Sequence, residues 1–386
     1  MICDFAFEEE FRGGTLQRII IPNTAVSIGE YAFYGCYNLE QINIPNSVSN
    51  IGNNAFENCF SLRQFTIPNT VKIIKESTFL QCSNLQDISI PNSVTTIGND
   101  AFCGCESLTQ IDIPDSVTSI GDCAFELCTS LQHITIPRSV TRIGENPFCG
   151  CGKINIESES ERYVVKDKML IDTVENRLVA YFGRKESFSV PDSVTTLGPY
   201  SFAYNTLQQI IIPNSVKRIE NLVFRYCESL QQVNIPDSVT FIGDGAFCIC
   251  LSLKQITIPD SVKSMGGGVF SCCESLQQIT ISNSIMSIEE DTFYNCFSLK
   301  QVDIPHSVTQ IKNRAFGGCR SLQQIFIPDS VIRIGYWAFG DCKSLQQVNI
   351  PKSIKTIENN AFEGCDSLPP TAFHKFDQAE DLDLPF

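Results

Sequence analysis

Cysteine is the residue that most invites a chemical reading of this chain, because 19 thiols could close a disulfide framework or hold metal. Their spacing points elsewhere. Cys36, Cys59, Cys82, Cys105, Cys128 and Cys151, then Cys227, Cys250, Cys273, Cys296, Cys319, Cys342 and Cys365, fill one slot of a 23-residue period. A cysteine recurring once per coil predicts an internal ladder of small buried hydrophobes. Zinc needs four converging ligands, typically from paired C-x-x-C knuckles, and the sequence holds none, so no metal ligand is assigned. The pairs Cys103/Cys105, Cys149/Cys151 and Cys248/Cys250 put their first member on an outer turn, within disulfide reach of stacked neighbours. The odd total and the buried slot fit a reducing compartment better.

The other chemical residues are sparse. His133 falls on a strand face, His306 in a turn and His374 in the tail, and none has a repeat-placed nucleophile beside it. Gly266-Gly267-Gly268 lies in the Ile-Gly-x-x-Ala-Phe register without a following Lys-Ser/Thr, so it is not a phosphate loop. No catalytic residue and no cofactor follow from these positions.

What positions every residue is the repeat. Pro22, Pro45, Pro68, Pro91, Pro114 and Pro137 are 23 residues apart, and the series resumes at Pro191, Pro213, Pro236 and Pro259, then Pro305, Pro328 and Pro351, with Ser282 in the missing slot. Phenylalanine keeps the same period from Phe33 to Phe148 and from Phe202 to Phe362, about fourteen copies in all. In the copy at 108–130, Leu108 to Ile113 reads as a strand with Ile111 and Ile113 inward and Gln110 and Asp112 outward. Pro114 closes the strand, and Asp115-Ser116 supplies a turn through side-chain bonds to nearby amides. Val117 and Ile120 point inward, and Ala124-Phe125-Glu-Leu-Cys128 fits one helical turn. The slot holding Gly29, Gly52, Gly98 and Gly121 holds Lys75, Glu220, Glu289, Lys312 and Glu358 elsewhere, which predicts ordinary dihedrals there. The expected fold is an α/β repeat solenoid, an arc with a parallel sheet on its concave face and short helical turns outside.

The pattern L-x-x-I-x-I-P-[ND]-S-V-T-x-I-G-x-x-A-F-x-x-C-x-S, nearly verbatim in LTQIDIPDSVTSIGDCAFELCTS, closely resembles the BspA-like leucine-rich repeat proteins. The resemblance covers residues 16 to 368. It implies a right-handed leucine-rich repeat solenoid, of a kind found mostly in surface proteins of host-associated bacteria and protists that bind host matrix proteins and cells, and it carries no catalytic motif.

The period breaks once. Between Pro137 and Pro191, Tyr163 to Ile171 and Arg177 to Phe182 are β-rich and separated by Asp172–Asn176, which predicts an inserted hairpin; BspA-like proteins often carry a similar interruption. The coil after it, Phe202-Ala-Tyr-Asn-Thr-Leu207, is one residue short and omits the cysteine slot. The expected organisation is a capping segment at 1–15 with Phe5, Phe7 and Phe11, repeats at 16–159, the hairpin at 160–186, repeats at 187–368 and a cap or tail at 369–386. In that tail Thr371 is placed to cap a short helix with Ala372, Phe373, Phe376, Ala379 and Leu382 on one face.

Function is then a matter of surface. Lys plus Arg is 28 against 43 Asp plus Glu, a net charge of −15, which disfavours nucleic acid and anionic lipid as partners. No apolar run is long enough to span a membrane, and no secretory signal, anchor or Asn-x-Ser/Thr acceptor is visible, so the chain as written reads as cytoplasmic while the resemblance suggests the surface. The outward column of the expected concave face is Gln209, Gln232, Gln255, Gln278, Gln301, Gln324 and Gln347, with Gln41, Gln64 and Gln110 earlier; stacked amides there could bond along the axis. Ile211 and Phe326 interrupt the next, polar column. The reading is a non-catalytic protein-binding scaffold, adhesin-like, for a protein or glycoprotein surface; the alternative is an intracellular interaction scaffold of the same fold.

Overall fold

The computed structural model describes residues 1–7 and 15–369. The chain divides into two compact units, Met1–Gly183 and Arg184–Phe386. Within each unit the 23-residue coils stack through parallel strand ladders with a one-coil register.

The first ladder is the expected one. In the first unit Arg18–Ile20 pairs with Gln41–Asn43, Gln64–Thr66 with Asp87–Ser89, and His133–Ile136 with Asn155–Ser158. In the second unit Ser187–Ser189, Gln209–Ile211 and Gln232–Asn234 run side by side, as do Gln255–Thr257 with Gln278–Thr280 and Gln324–Phe326 with Gln347–Asn349. At Gln110 and Asp303 the ladder thins to a single bridge, to His133 and Phe326 respectively.

A second parallel ladder, absent from the sequence reading, runs through the Ile before the glycine slot. Ile73–Ile74, Thr96–Ile97, Ser119–Ile120 and Arg142–Ile143 stack in one unit, and Thr196–Leu197, Arg218–Ile219, Phe241–Ile242 and Ser264–Met265 in the other. Two-residue strands leave too short an alternation to read as β from sequence.

The third side corrects the expectation of helical turns: the described residues contain no helix. In the coil of Phe102, Asp100 and Gly104 take left-handed φ values of 53° and 73°, and in the next coil Cys123 and Leu127 take 51° and 58°. These residues lie two before and two after the Phe. Each turns the chain so that alternate amides face along the solenoid axis. Asp100 N–H donates to Asp122 O at 2.9 Å, Phe102 N–H to Ala124 O at 2.8 Å and Gly104 N–H to Glu126 O at 2.7 Å. A helical turn would keep those amides within the coil and leave its neighbour's carbonyls orphaned.

The phenylalanines fill the space behind these turns. Phe102 and Phe125 stack at 5.4 Å between ring centroids and 6° between planes. In the second unit Phe202 and Phe224 stack at 5.2 Å, and Phe316 and Phe339 at 5.2 Å. At the start of the chain Phe7 stacks on Phe33 at 4.9 Å, taking the place of one more repeat phenylalanine. Phe11 and the tail positions Thr371, Ala372, Phe373, Phe376, Ala379 and Leu382 lie outside the described residues.

The insertion in the first unit is a three-stranded antiparallel meander, one strand more than a hairpin. Tyr163–Lys166 pairs with Met169–Asp172, which pairs with Arg177–Tyr181. The extra reversal is made by Asp167 and Lys168, both left-handed at 50° and 62°, the combination a two-residue type I′ turn needs. Asp172, fully buried, accepts a fork from the Arg162 guanidinium, with Nη2 to Oδ2 at 2.7 Å. The Tyr163 hydroxyl accepts from Ile143 N–H at 2.8 Å and ties the meander to the coil beneath.

Candidate binding face and the ladders that support it

Three side-chain devices join one coil to the next and explain most of the consensus. The first is the cysteine slot. Cys128 Sγ donates to the carbonyl of Phe102 at 3.2 Å, and the same bond links Cys59 to Phe33, Cys273 to Phe247 and Cys342 to Phe316. That carbonyl also accepts Cys105 N–H from its own coil at 3.1 Å, so both its lone pairs are used. Cys36 donates to Phe7 O in the same way, which identifies Phe7 as the Phe of the first coil. Asn205 N–H bonds Phe202 O at 3.0 Å, so Asn205 occupies the cysteine slot that the sequence reading took as omitted. The missing residue falls after it, where Asn205 Oδ1 accepts from Leu207 N–H at 3.1 Å.

Burial raises several of the slot's thiols: Cys227 is pushed up to about 12, and Cys105 and Cys128 well above the ordinary value. A thiol that stays protonated is a donor and not a nucleophile. All 19 cysteines are free thiols.

The second device is serine. Ser116 Oγ donates to Val94 O at 2.7 Å and Ser139 Oγ to Val117 O at 2.6 Å, across coils and not to nearby amides as the turn chemistry suggested. The third accompanies many of the glycines in the variable slot. Asn99 Oδ1 accepts Asp122 N–H at 2.9 Å, and a Cβ on Gly121 would meet Asn99 N and Oδ1 at 2.5 Å. Asp122 before Gly144, Asn221 before Gly243, Asp244 before Gly266 and Asn313 before Gly335 repeat the relation. Lys312 stands over Glu290, but Gly52 stands over Glu30, Gly98 over Glu76 and Lys75 over Asn53, so the relation is not strict. None of the slot's glycines is left-handed, in line with the sequence reading. Gly266 and Gly267 of the triple glycine belong to this cradle around Asp244.

The outward side chains of the first ladder take no part in these three devices. Gln209, Gln232, Gln255, Gln278, Gln301, Gln324 and Gln347 are all exposed there, in register from coil to coil. The expected amide ladder is not formed among the described residues. Gln64 donates to Asp87 at 3.3 Å and Gln301 to Asp303 at 3.4 Å, so the amides that bond do so to carboxylates. Ile211 and Phe326 are 47% and 65% exposed, large values for apolar side chains within a sheet. A groove of about 730 Å³ runs over Gln255, Thr257, Gln278, Thr280, Gln301 and Asp303. Another of about 360 Å³ is bounded by Gln301, Asp303, Gln324, Phe326 and Gln347. In the first unit about 430 Å³ opens over Gln64, Asp87, Gln110 and Asp112. Asp87 stands in the glutamine column and Asp112 and Asp303 in the next, as the sequence places them; their shared acidic character in the grooves was not weighed there. His133 is exposed on this face, its Nε2 3.2 Å from Thr135 Oγ1; His306 is exposed in a turn, and His374 lies outside the described residues. Among the described residues no helix is long and apolar enough to cross a membrane.

Comparison with known proteins agrees with this geometry. The family model described as "BspA type Leucine rich repeat region (6 copies)" matches residues 4–126, 95–170, 172–297 and 286–376. Among solved structures, a leucine-rich cell surface protein from Faecalibacterium prausnitzii is 32% identical, with 90% of this chain and 82% of that one aligned at a TM-score of 0.55. A leucine-rich repeat protein from Eubacterium ventriosum is 24% identical over 91% and 83% of the two chains, TM-score 0.60, and shares the fold. No curated protein sequence matches the chain. Thirteen thiols in one slot, phenylalanines stacked coil on coil and a matching family model along nearly the whole sequence lead to one assignment: the chain belongs to the BspA-type leucine-rich repeat family.

Proposed function

We propose that the chain is a non-catalytic adhesin-like module that binds a protein or glycoprotein surface through the glutamine-bearing strand face of its second unit. Phe326 carries the reading. Its ring stands 65% exposed between Asp303, its bridge partner, and Asn349, its strand partner, at the edge of a groove. A large aromatic set among polar groups on a rigid sheet is the usual composition of an interaction hot spot. The cell-surface description of the Faecalibacterium protein supports an extracellular setting. The negative net charge argues against nucleic acid.

The test is binding of the full chain to immobilised extracellular-matrix proteins, compared with Phe326→Ser and Ile211→Ser. Loss of about tenfold in affinity for Phe326→Ser, with unchanged melting, is the expected result. Equal binding by both variants and the unaltered chain contradicts the assignment of the face.

The sulfur ladder favours a second reading, an intracellular interaction scaffold, because each Sγ–H donor is lost on oxidation. Thiol titration of protein from its natural source separates the two: fully reduced cysteine and no secreted material favour the scaffold.

A further inference from the structure

One cluster belongs neither to the stacking devices nor to the strand face. Ligand atoms of Asp100, Cys103 and Glu126 lie within 4.8 Å of one another on the Phe turns of two successive coils. Asp100 and Cys103 sit two before and one after Phe102; Cys123 and Glu126 hold the same two places around Phe125, and Cys149 follows Phe148 one coil further on. Cys103, Cys123 and Cys149 are buried, at 8%, 7% and 1% exposure, while Asp100 and Glu126 are half-buried at the rim.

We propose that Asp100, Cys103 and Glu126, with Cys123 at their edge, form a binding site for one thiophilic divalent cation of the Zn²⁺ class. The residue choice departs from the repeat here. The same pair of places holds Tyr31 with Tyr34, which meet edge to face, and Asn54 with Glu57, which share a hydrogen bond of 2.6 Å. Further on, Asp291 is met by Arg314 at 2.7 Å. At Asp100 the charged neighbours are acidic: Glu126, Glu76 and Asp122. Concentrated negative charge around a soft sulfur is relieved by a dication. Thiolate and carboxylate oxygen are the donors zinc accepts, at about 2.3 and 2.1 Å, whereas calcium and magnesium demand an all-oxygen shell. Binding to Cys103 displaces one proton from sulfur to solvent as the metal–sulfur bond forms, and Asp100 and Glu126 bind through carboxylate oxygen. The ligand spacing, three residues within a coil and 23 between coils, is invisible to a search for paired C-x-x-C knuckles.

The test uses the full chain, reduced and stripped of metal, titrated with Cd²⁺ as a spectroscopic probe and with Zn²⁺ in competition. Saturable uptake of one equivalent with a thiolate-to-cadmium absorption band, reversed by chelator and absent with Ca²⁺, is expected. Cys103→Ser should abolish the band, and Glu126→Gln should weaken affinity about tenfold or more. Both variants should fold, because serine already occupies the Cys103 place at Ser271 and glutamine matches the shape of glutamate. Cys3→Ser, at an exposed thiol outside the cluster, should change nothing. No saturable uptake, or equal uptake and band in Glu126→Gln and the unaltered chain, overturns the proposal.

Discussion

Cys128 Sγ lies 3.2 Å from the carbonyl oxygen of Phe102, a residue 26 positions earlier and one coil below. The bond makes sulfur part of the backbone hydrogen-bond network of the stack. It also gives the cysteine slot a requirement that small size alone would not impose. Cys128→Ala removes this donor and leaves a small void, while Phe102 O keeps its bond from Cys105 N–H. The expected cost is about 1–2 kcal/mol in urea unfolding, with the fold retained. No measurable change would mean that the sulfur bond contributes nothing.

The glycine slot should be intolerant where an Asn or Asp reaches up from the coil below. A Cβ on Gly121 meets Asn99 and the backbone of Gly98 at 2.5 Å. Gly121→Ala should therefore destabilise by about 1–3 kcal/mol, the cost of forcing extra volume into a packed site. Lys312→Ala, in the same slot without that neighbour, should change stability by less than about 0.5 kcal/mol. Thermal unfolding of the two variants side by side checks the contrast.

The thiols set a pH limit. Burial raises the folded values of several buried ones, Cys227 to about 12 from an ordinary 9.0. A group whose folded value is raised contributes stability that is complete below the unfolded value and is lost as pH rises towards the folded one. Stability should hold to about pH 8.5 and then fall between pH 9 and 12, by about 1.4 kcal/mol per pH unit for each thiol that ionises only in the unfolded chain. Denaturant titrations across that range measure it. In the native state a thiol reagent should reach Cys3 first, with the buried ladder reacting only after unfolding.

The meander depends on its buried ion pair. Burial pushes the Asp172 carboxyl up, but the Arg162 hydrogen bonds and the amides of Glu175 and Val174 outweigh it and hold the carboxyl below its ordinary value. Arg162→Met leaves that carboxylate buried without its partner, at a cost of about 3–5 kcal/mol. Hydrogen exchange should then open Tyr163–Tyr181 while the phenylalanine-lined coils of the same unit stay protected. Because the carboxyl is held low, its stabilising contribution is complete above the ordinary value of 3.8 and lost only as pH falls through the folded value.

The repeat announced itself in sequence because Pro114, Phe125 and Cys128 mark positions that packing fixes once per coil. Inward and outward alternation placed Gln110 and Gln209 correctly on the exposed face for the same reason. What stayed hidden depends on contacts between coils. Ala124-Phe125-Glu-Leu-Cys128 has the spacing of a helical turn, and its left-handed positions carry Cys123 and Leu127, residues that do not advertise such dihedrals. The bond of Ser116 to Val94, the cradle of Asn99 under Gly121, and the convergence of Asp100 and Cys103 on Glu126 all join residues about 22 to 26 apart. Local sequence rules do not reach that far. Asp303 meets Gln301 within its own coil, but Gln324 and Gln347 join the same groove only when coils stack.

The most direct test of the binding face is site-specific photocrosslinking to the matrix protein that binds. A photoreactive phenylalanine analogue is placed at Phe326 in one protein and at Tyr294, on the Phe-turn side, in another. Crosslinks from position 326 and none from position 294 are predicted. Crosslinks from position 294 alone would move the function to the turn side and contradict the account.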